Sequence, residues 1–445
     1  MTMPGGAVDR CLAAFERSPL RGSKEPSWLS NLRLEAKERF AGAGFPDRKN
    51  EDWKYTDVGP IAAMPFETGP QGGGLSPSDV SGLLPGDTGG NVLVFENGRY
   101  REDLSVLRPL PSGVHLGSLS RALSGREEGP VPFFPRAPAN AFTDLNTMLM
   151  EDGVFLHVGK GVEVPEPIQV LFLTSGGGGP VVCHPRNVIA AGEGARVTVV
   201  ERYAGRSEGD CFVNAVTDVA TGDGATVVHY RFQEEGPGAY HVASLRSRQG
   251  TGSRFAAHSV SLGALLSRSE VHAVLDGEDA ACLLNGLYLG NGEQHVDHFT
   301  TIDHAKPGGS SREYYRGILD GRSRGVFRGR VIVRRDAQKT DARQANRNLL
   351  LSGDAEADSR PQLEIHADDV KCTHGATVGP LDEEKVFYMR SRGIDASSAR
   401  GFLAWAFASD IFRRFDLPGV RRACEEKLLA WLPDAGRIRE FLRHE

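Results

Sequence analysis

Short turns recur along the middle of the chain at a nearly constant spacing. "GEGA" begins at Gly192, "GDGA" at Gly222, "GTGS" at Gly250 and "DGEDA" at Asp276. Each introduces an alternating apolar segment: "RVTVVERY", "TVVHYRFQ", "RFAAHSVSL" and "ACLLNGLYL". A recurrence of roughly 26 to 30 residues suits one coil of a β-solenoid better than one hairpin of a sandwich. Such a coil cannot bury its apolar face alone and must stack on the next. Greek-key crossovers, the other way to arrange many short strands, need more chain than these turns leave. The spacing therefore predicts a mainly β chain with a solenoid core, its short β-branched runs spanning about Phe142 to Val378.

The flanks read differently. In "PSWLSNLRLEAKERFAGAGF", Trp28, Leu32, Leu34 and Phe40 can share one helical stripe. The Gly- and Pro-rich "ETGPQGGGLSPSDVSGLLPGDTGG" follows as a connection, and "NVLVFENGRY" reads as a strand ending in an Asn-Gly turn. After Pro380 the period returns to helical. Asp382 is the expected N-cap of "LDEEKVFYMRSRG", with Leu381 and Val386 as a hydrophobic staple and Gly393 as the stop. A second helix from about Asp395 carries Phe402, Leu403, Ala406, Phe407 and Ile411, and a third carries Leu428, Trp431 and Leu432. Three regions result: 1–90, helical with a loop-rich linker; 91–380, the solenoid; 381–445, a helical domain. The last has more apolar surface than it can hide internally, so part of it is expected to dock on the solenoid or on another protein.

Composition removes several classes. Of the 445 residues, 25% are charged and 40% hydrophobic, which supports a packed core. A formal net charge of -6 argues against a general nucleic-acid binder, and the basic run "FRGRVIVRR" (Phe327 to Arg335) reads as a solvated strand face. The six cysteines (Cys11, Cys183, Cys211, Cys282, Cys372 and Cys424) form no Cys-x-x-Cys pair. The start lacks the apolar stretch of a secretory signal, and no long uncharged apolar run could span a membrane. A cytoplasmic protein with reduced thiols is expected.

Three motifs bear on chemistry. "GVFLHVGKG" (Gly153 to Gly161) is one residue too long between its first glycines for a P-loop, and Gly161 replaces the Ser or Thr that would hold magnesium. The chain is not expected to bind or hydrolyse ATP by itself. In "HVDHFTTIDH", His298 and His304 share one strand parity and His295 the other, so the pattern favours hydrogen-bonded histidines over a metal site. In "ADDVKCTHGATVG" (Ala367 to Gly379), Cys372 and His374 project from one face of an extended segment. If alternation survives Asp368 and Asp369, Glu364 and His366 join that face. A thiolate beside an imidazole suits a transition metal, an iron–sulfur cluster or a cysteine hydrolase, whereas most Cys-x-His pairs simply pack. Two ligands are too few for a closed site, so any others come from elsewhere, including another chain.

Four blocks carry a resemblance: "NEDWKYTDV", "DHFTTIDHAKPGGSSREYYRGILDGRSRGVFRGRVIV", "DAQKTDARQANRNLLLSGDAEADSRPQLEIHADDVKCTHGATVG" and "LDEEKVFYMRSRGI". With them the chain resembles the SufB/SufD scaffold family of the SUF iron–sulfur cluster assembly system, on its SufD side. SufB-type chains typically carry an N-terminal cysteine cluster and a different local sequence at the cysteine; neither occurs here. The resemblance implies a right-handed parallel β-helix between helical ends. It implies a non-catalytic scaffold that pairs with a SufB-type paralogue, or with itself when alone, and docks the ABC ATPase SufC through its C-terminal helices. Phe387, Tyr388, Arg392, Phe402 and Trp405 are the expected docking residues. A nascent iron–sulfur cluster would form at the scaffold interface, with His374 and its neighbour Cys372 contributing from this side. Flavin binding by the complex is left open.

On this reading ATP-driven closure of the ATPase would pull on the helices after Leu381 and alter the interface. Neutral imidazole binds metal, so assembly should weaken on acidification. Two rivals are kept. A β-helix polysaccharide enzyme would use the acids of "ADSRPQLEIHADD", but most such enzymes carry a signal peptide. A Cys372–His374 hydrolase would need a proton transfer that parallel side chains at i and i+2 serve badly.

Overall fold

The computed structural model describes residues 5–17, 25–66, 74–84, 89–124, 140–176, 180–205, 211–432 and 435–442. The repeated turns are the corners of a parallel β-solenoid. Gly161, Gly194, Gly224 and Gly252 stack in the left-handed region, with φ of 70, 67, 65 and 63°. Their N–H groups donate along the stack to the carbonyls of Glu193, Asp223, Thr251 and Glu278, at 2.7–2.8 Å. Asp279, Gly308 and Lys339 continue the column at φ of 55, 74 and 64°, donating to Pro307, Gln338 and Asp369. The P-loop-like segment is one of these corners. Its Lys160 pairs with Glu193 at 2.7 Å.

Between corners the chain alternates between two sheets of in-register, mostly parallel strands. One runs from Val92–Glu96 to Lys371–Pro380; the other ends at Glu356–Ile365. Odd and even residues face opposite ways, so the lumen is filled in columns, as in Phe255, Cys282, Ser311, Ala342 and Cys372. The lumen is apolar at Leu284, Phe327 and Val331 but also holds histidine–carboxylate contacts. His229 Nε2 lies 3.1 Å from Glu201 Oε1, and His241 Nδ1 lies 2.6 Å from Glu235 Oε1. The Asn-Gly hairpin is present, with Asn97 and Gly98 at φ of 51 and 80° joining Val92–Glu96 to Arg99–Tyr100.

The C-terminal helices lie on the outer face of the first sheet. Tyr230, Phe232, Leu287 and Ile318 meet Ala404, Ala408, Ile411 and Phe412 there. Asp382 caps Glu383–Ser391, Leu381 and Val386 are buried, and Asp395 caps Ala396–Phe412. Among the described residues no helix is long and apolar enough to cross a membrane.

The N-terminal reading needs two corrections. Helix Ser27–Ala43 buries Leu29, Arg33, Ala36 and Phe40, whereas Leu34 is 42% exposed. The stripe turns because Arg33 is interior: its guanidinium donates to the carbonyls of Thr147, Met148 and Met150 and pairs with Glu25 at 2.6 Å. Those carbonyls close helix Ala141–Leu149, so Phe142 opens a helix rather than the β-pattern. Its Asn140 cap supplies the local reason, accepting from the N–H groups of Phe142 and Thr143. The Gly- and Pro-rich connection lies partly outside the described residues; within it Pro77–Ser81 is a short helix.

Candidate functional site

The solenoid ends on two strands, Glu356–Ile365 and Lys371–Pro380. Among the described residues no strand pairs with the outer edge of either. The lumen is therefore open at this end. Ile365 and Val378 stand 41% and 46% exposed there, although their in-register partners Val333 and Asn348 are buried behind them. Two free strand edges around a half-exposed apolar rim form a surface that solvated strands normally avoid.

Cys372 and His374 sit on this end. Their in-register neighbours are the buried Ala342 and Gln344, so both face the lumen from the last strand. Cys372 is half-buried against the core and His374 is exposed at the mouth. The two are brought together as the alternation predicts. Burial pushes the Cys372 thiol up, with the Asp341 charge adding to the rise and a backbone hydrogen bond at Ala342 opposing it. A nucleophile of a hydrolase needs the opposite shift.

Glu364 and His366 do not join them. Ala367 is buried at a corner, and the chain passes there from one sheet to the other. A corner resets the parity, so Glu364 ends on the outer face, where Arg330 grips it at 2.7 and 2.8 Å. Asp369 lies in the corner and pairs with Lys339. Among the described residues no group of three or more His, Cys, Asp and Glu side chains could hold a metal ion. Cys372 and His374 are the pair that the last strand turns toward the open lumen.

The other histidines separate by parity as expected. His298 is fully buried in the lumen between the rings of Tyr288 and Tyr315, and burial lowers it to about 3. His304 is lowered to about 4, chiefly by burial, and its Nε2 lies 2.9 Å from Ser311 Oγ. His295 points outward, 3.0 Å from Thr56 Oγ1. The basic run is a strand face whose Arg328, Arg330 and Arg334 pair with Asp52, Glu364 and Asp303.

The docking candidates divide. Phe387 and Tyr388 on helix Glu383–Ser391 are 71% and 58% exposed, and Arg392 stacks on Tyr388 at 4.9 Å. Phe402 and Trp405 are half-buried against the helical core instead. Exposed aromatics of that size on one short helix form an unpartnered patch among the described residues.

"NEDWKYTDV" is a clamp. Trp53 and Tyr55 pack the N-terminal region onto the solenoid, the simplest reading of these aromatics: Trp53 stacks on Arg268 and Tyr55 lies against Arg324. Thr56 donates to Asp297 at 2.5 Å, and Arg328 and Arg360 reach Glu51. These polar partners, more than two hundred residues away, had no signal in the spacing. Glu313 escaped the sequence reading; it is an acid fully buried in the lumen and pushed up to about 7 by desolvation. Burial alternates along Ser310–Leu319, which turns it inward.

Comparison with known proteins identifies the family. Residues 172–407 match the SUF system FeS cluster assembly, SufBD core domain, and residues 18–170 match the SufBD protein N-terminal region. An iron-sulfur cluster assembly SufBD family protein of Synechocystis is 32% identical, over 93% of each chain. Iron-sulfur cluster assembly protein SufD of Escherichia coli is 30% identical, over 90% of this chain and 92% of its own. The chloroplastic protein ABCI7 of Arabidopsis thaliana is 30% identical over 88% and 84%. An open-ended β-solenoid between helical flanks, matched along nearly its whole length, belongs to the SufBD family of iron–sulfur cluster assembly proteins.

Proposed function

We propose that this chain is a SufD-type, non-catalytic scaffold subunit. It pairs through the open solenoid end with a SufB-type paralogue, and a nascent iron–sulfur cluster forms between them. The cluster is the cargo of this reaction. Cys372 and His374 supply donors from this side and the paralogue supplies the rest. One observation carries the reading: the Cys-x-His pair lies at the lumen mouth, inside a rim of exposed apolar residues and two unpaired strand edges. Strand edges bind by adding strands, and a second solenoid end is the partner whose geometry matches.

ATP chemistry is supplied in trans. A SufC-type ATPase docks on Phe387, Tyr388 and Arg392, the exposed part of the helix that leaves the last strand directly through Leu381. A pull on that helix bears on the strand holding Cys372 and His374. Phe402 and Trp405 transmit it as packing within the helical domain.

The test is anaerobic iron and acid-labile sulfide content of the complex co-purified with SufB and SufC, in wild type and His374→Ala. An intact complex with much less cluster supports the ligand role. Unchanged cluster content removes it and leaves a structural, ATPase-docking subunit.

A further inference from the structure

One inward column of the first sheet runs Leu284, Glu313, Gln344, His374, each in register with the next. Such neighbours lie about 4.8 Å apart, close enough for successive side chains to touch. Both Glu313 oxygens are occupied: Thr300 Oγ1 donates to Oε1 at 2.5 Å and Gln344 Nε2 donates to Oε2 at 2.6 Å. The Gln344 amide crosses the lumen to Gly329, where a Cβ would come within 2.1 Å of Nε2. Its orientation is thus held by an acceptor behind it and a glycine opposite. Gln344 is only 3% exposed, and its Oε1 is buried without a hydrogen-bond partner. Buried amide oxygens rarely stay unpaired. The next residue of the column is His374, which carries a ring N–H.

We propose that Gln344 is a positioning residue for His374: its Oε1 accepts the inward-facing imidazole N–H, and Glu313 fixes which way the amide faces. The nitrogen turned into the lumen then carries the proton, and the other presents its lone pair at the open end. Histidine ligands of metals are commonly set in this way by the bond their second nitrogen makes. The functional consequence rests on the reading of His374 as a ligand; the structural relationship does not.

The experiment uses the full chain labelled with 15N-histidine, with the His374 signals assigned from His374→Asn. Ring 15N shifts at a pH where the imidazole is neutral give the tautomer ratio. In wild type one tautomer is expected to dominate by roughly tenfold, the worth of one net hydrogen bond. Gln344→Met, which removes the acceptor at similar volume, should relax the ratio to that of a free imidazole. Glu313→Gln keeps a hydrogen-bonding column but lets the Gln344 amide turn over, so it should mix the tautomers and carries the test if Gln344→Met does not fold. The same ratio in wild type and variants overturns the proposal.

Cluster content of the co-purified complex separates this from the ligand reading. Loss of cluster in His374→Ala with an unmoved ratio in Gln344→Met overturns positioning alone. A relaxed ratio in Gln344→Met with full cluster in His374→Ala upholds positioning and removes the ligand role.

Discussion

The Arg268 guanidinium stands 3.7 Å from the centre of the Trp53 ring, sandwiched between the N-terminal segment and the outer face of the solenoid. It also pairs with Asp297 and, at 2.7 Å, with Glu270; Arg268, Trp53 and Asp297 are buried and Glu270 is partly so. Those acids outweigh burial and raise the guanidinium further above its ordinary value. Removing one partner of such a buried pair typically costs about 3–5 kcal/mol, because the remaining charge is stranded. Arg268→Ala should therefore release the segment 51–57 before the solenoid unfolds. Hydrogen exchange checks this: faster exchange there, with protection kept in Thr226–Glu234 and Ala281–Gly290, is the expected outcome. Arg268→Lys should recover only part, since an ammonium cannot keep both the stack and the fork.

Glu313 gives a pH dependence with a defined sign. Its carboxyl is pushed up from 4.5 to about 7 by desolvation, against hydrogen bonds from Gln344 and Thr300. Below about pH 4.5 folded and unfolded chains both hold the proton, and the contribution to stability is fully present. Between 4.5 and 7 only the folded chain holds it, so stability falls as pH rises, by about 3 kcal/mol in all. Glu313→Gln should lack that component. Urea unfolding of wild type and variant across pH 4.5–8 should show the difference growing to pH 7 and then levelling. A difference that stays flat with pH would place the acid in contact with solvent.

How much of this was legible beforehand follows from what alternation and turns can encode. The stacked Gly194, Gly224 and Gly252 announced their corners, because a left-handed residue is needed at each, whereas Gly161 was read only against a P-loop. Asp382 announced its helix by cap chemistry, and the spacing of Phe402, Leu403, Ala406, Phe407 and Ile411 announced the next, which Asp395 caps. The corner at Ala367 was not readable: it contains no glycine, and a strand that bends keeps an alternating appearance while its parity resets. Arg33 misled for a different reason. A cation on an amphipathic helix is assigned to water unless its acceptors are known, and these are carbonyls more than a hundred residues away. Cys372 and His374 were placed together by local spacing alone, but that they face an open lumen depends on where the solenoid stops.

Cys372 should be a slow thiol. Burial and the Asp341 charge both raise it, so iodoacetamide at neutral pH should modify it far more slowly than an unfolded cysteine, with the rate climbing as pH rises. Mass mapping of the alkylated chain measures this. Rapid, selective labelling at neutral pH would restore the hydrolase reading.

The open end makes a prediction about assembly that is separable from stability. Val378 is 46% exposed on an edge strand, so Val378→Lys should change the stability of the isolated chain by no more than about 0.5 kcal/mol. An edge lysine is also one of the devices by which strands resist pairing. Sedimentation analysis should show weaker association with the SufB-type paralogue and less self-association. Unchanged association would move the pairing surface away from this end.

The helix Glu383–Ser391 offers the matching test for the ATPase. Phe387 and Tyr388 touch little within the chain, so Phe387→Ala and Tyr388→Ala should fold normally. If they are the anchors of the interface, each truncation should cost at least about 2 kcal/mol of binding, roughly a thirtyfold rise in Kd. Calorimetric titration with the SufC-type ATPase measures it. Arg392→Ala should cost less, because its guanidinium lies over Tyr388 and serves mainly to hold that ring. Loss of affinity in Phe402→Ala together with loss of helical stability would be the mark of packing. Loss of affinity in Phe387→Ala at constant stability would be the mark of contact, and only the second places the ATPase on the helix that continues from the strand of His374.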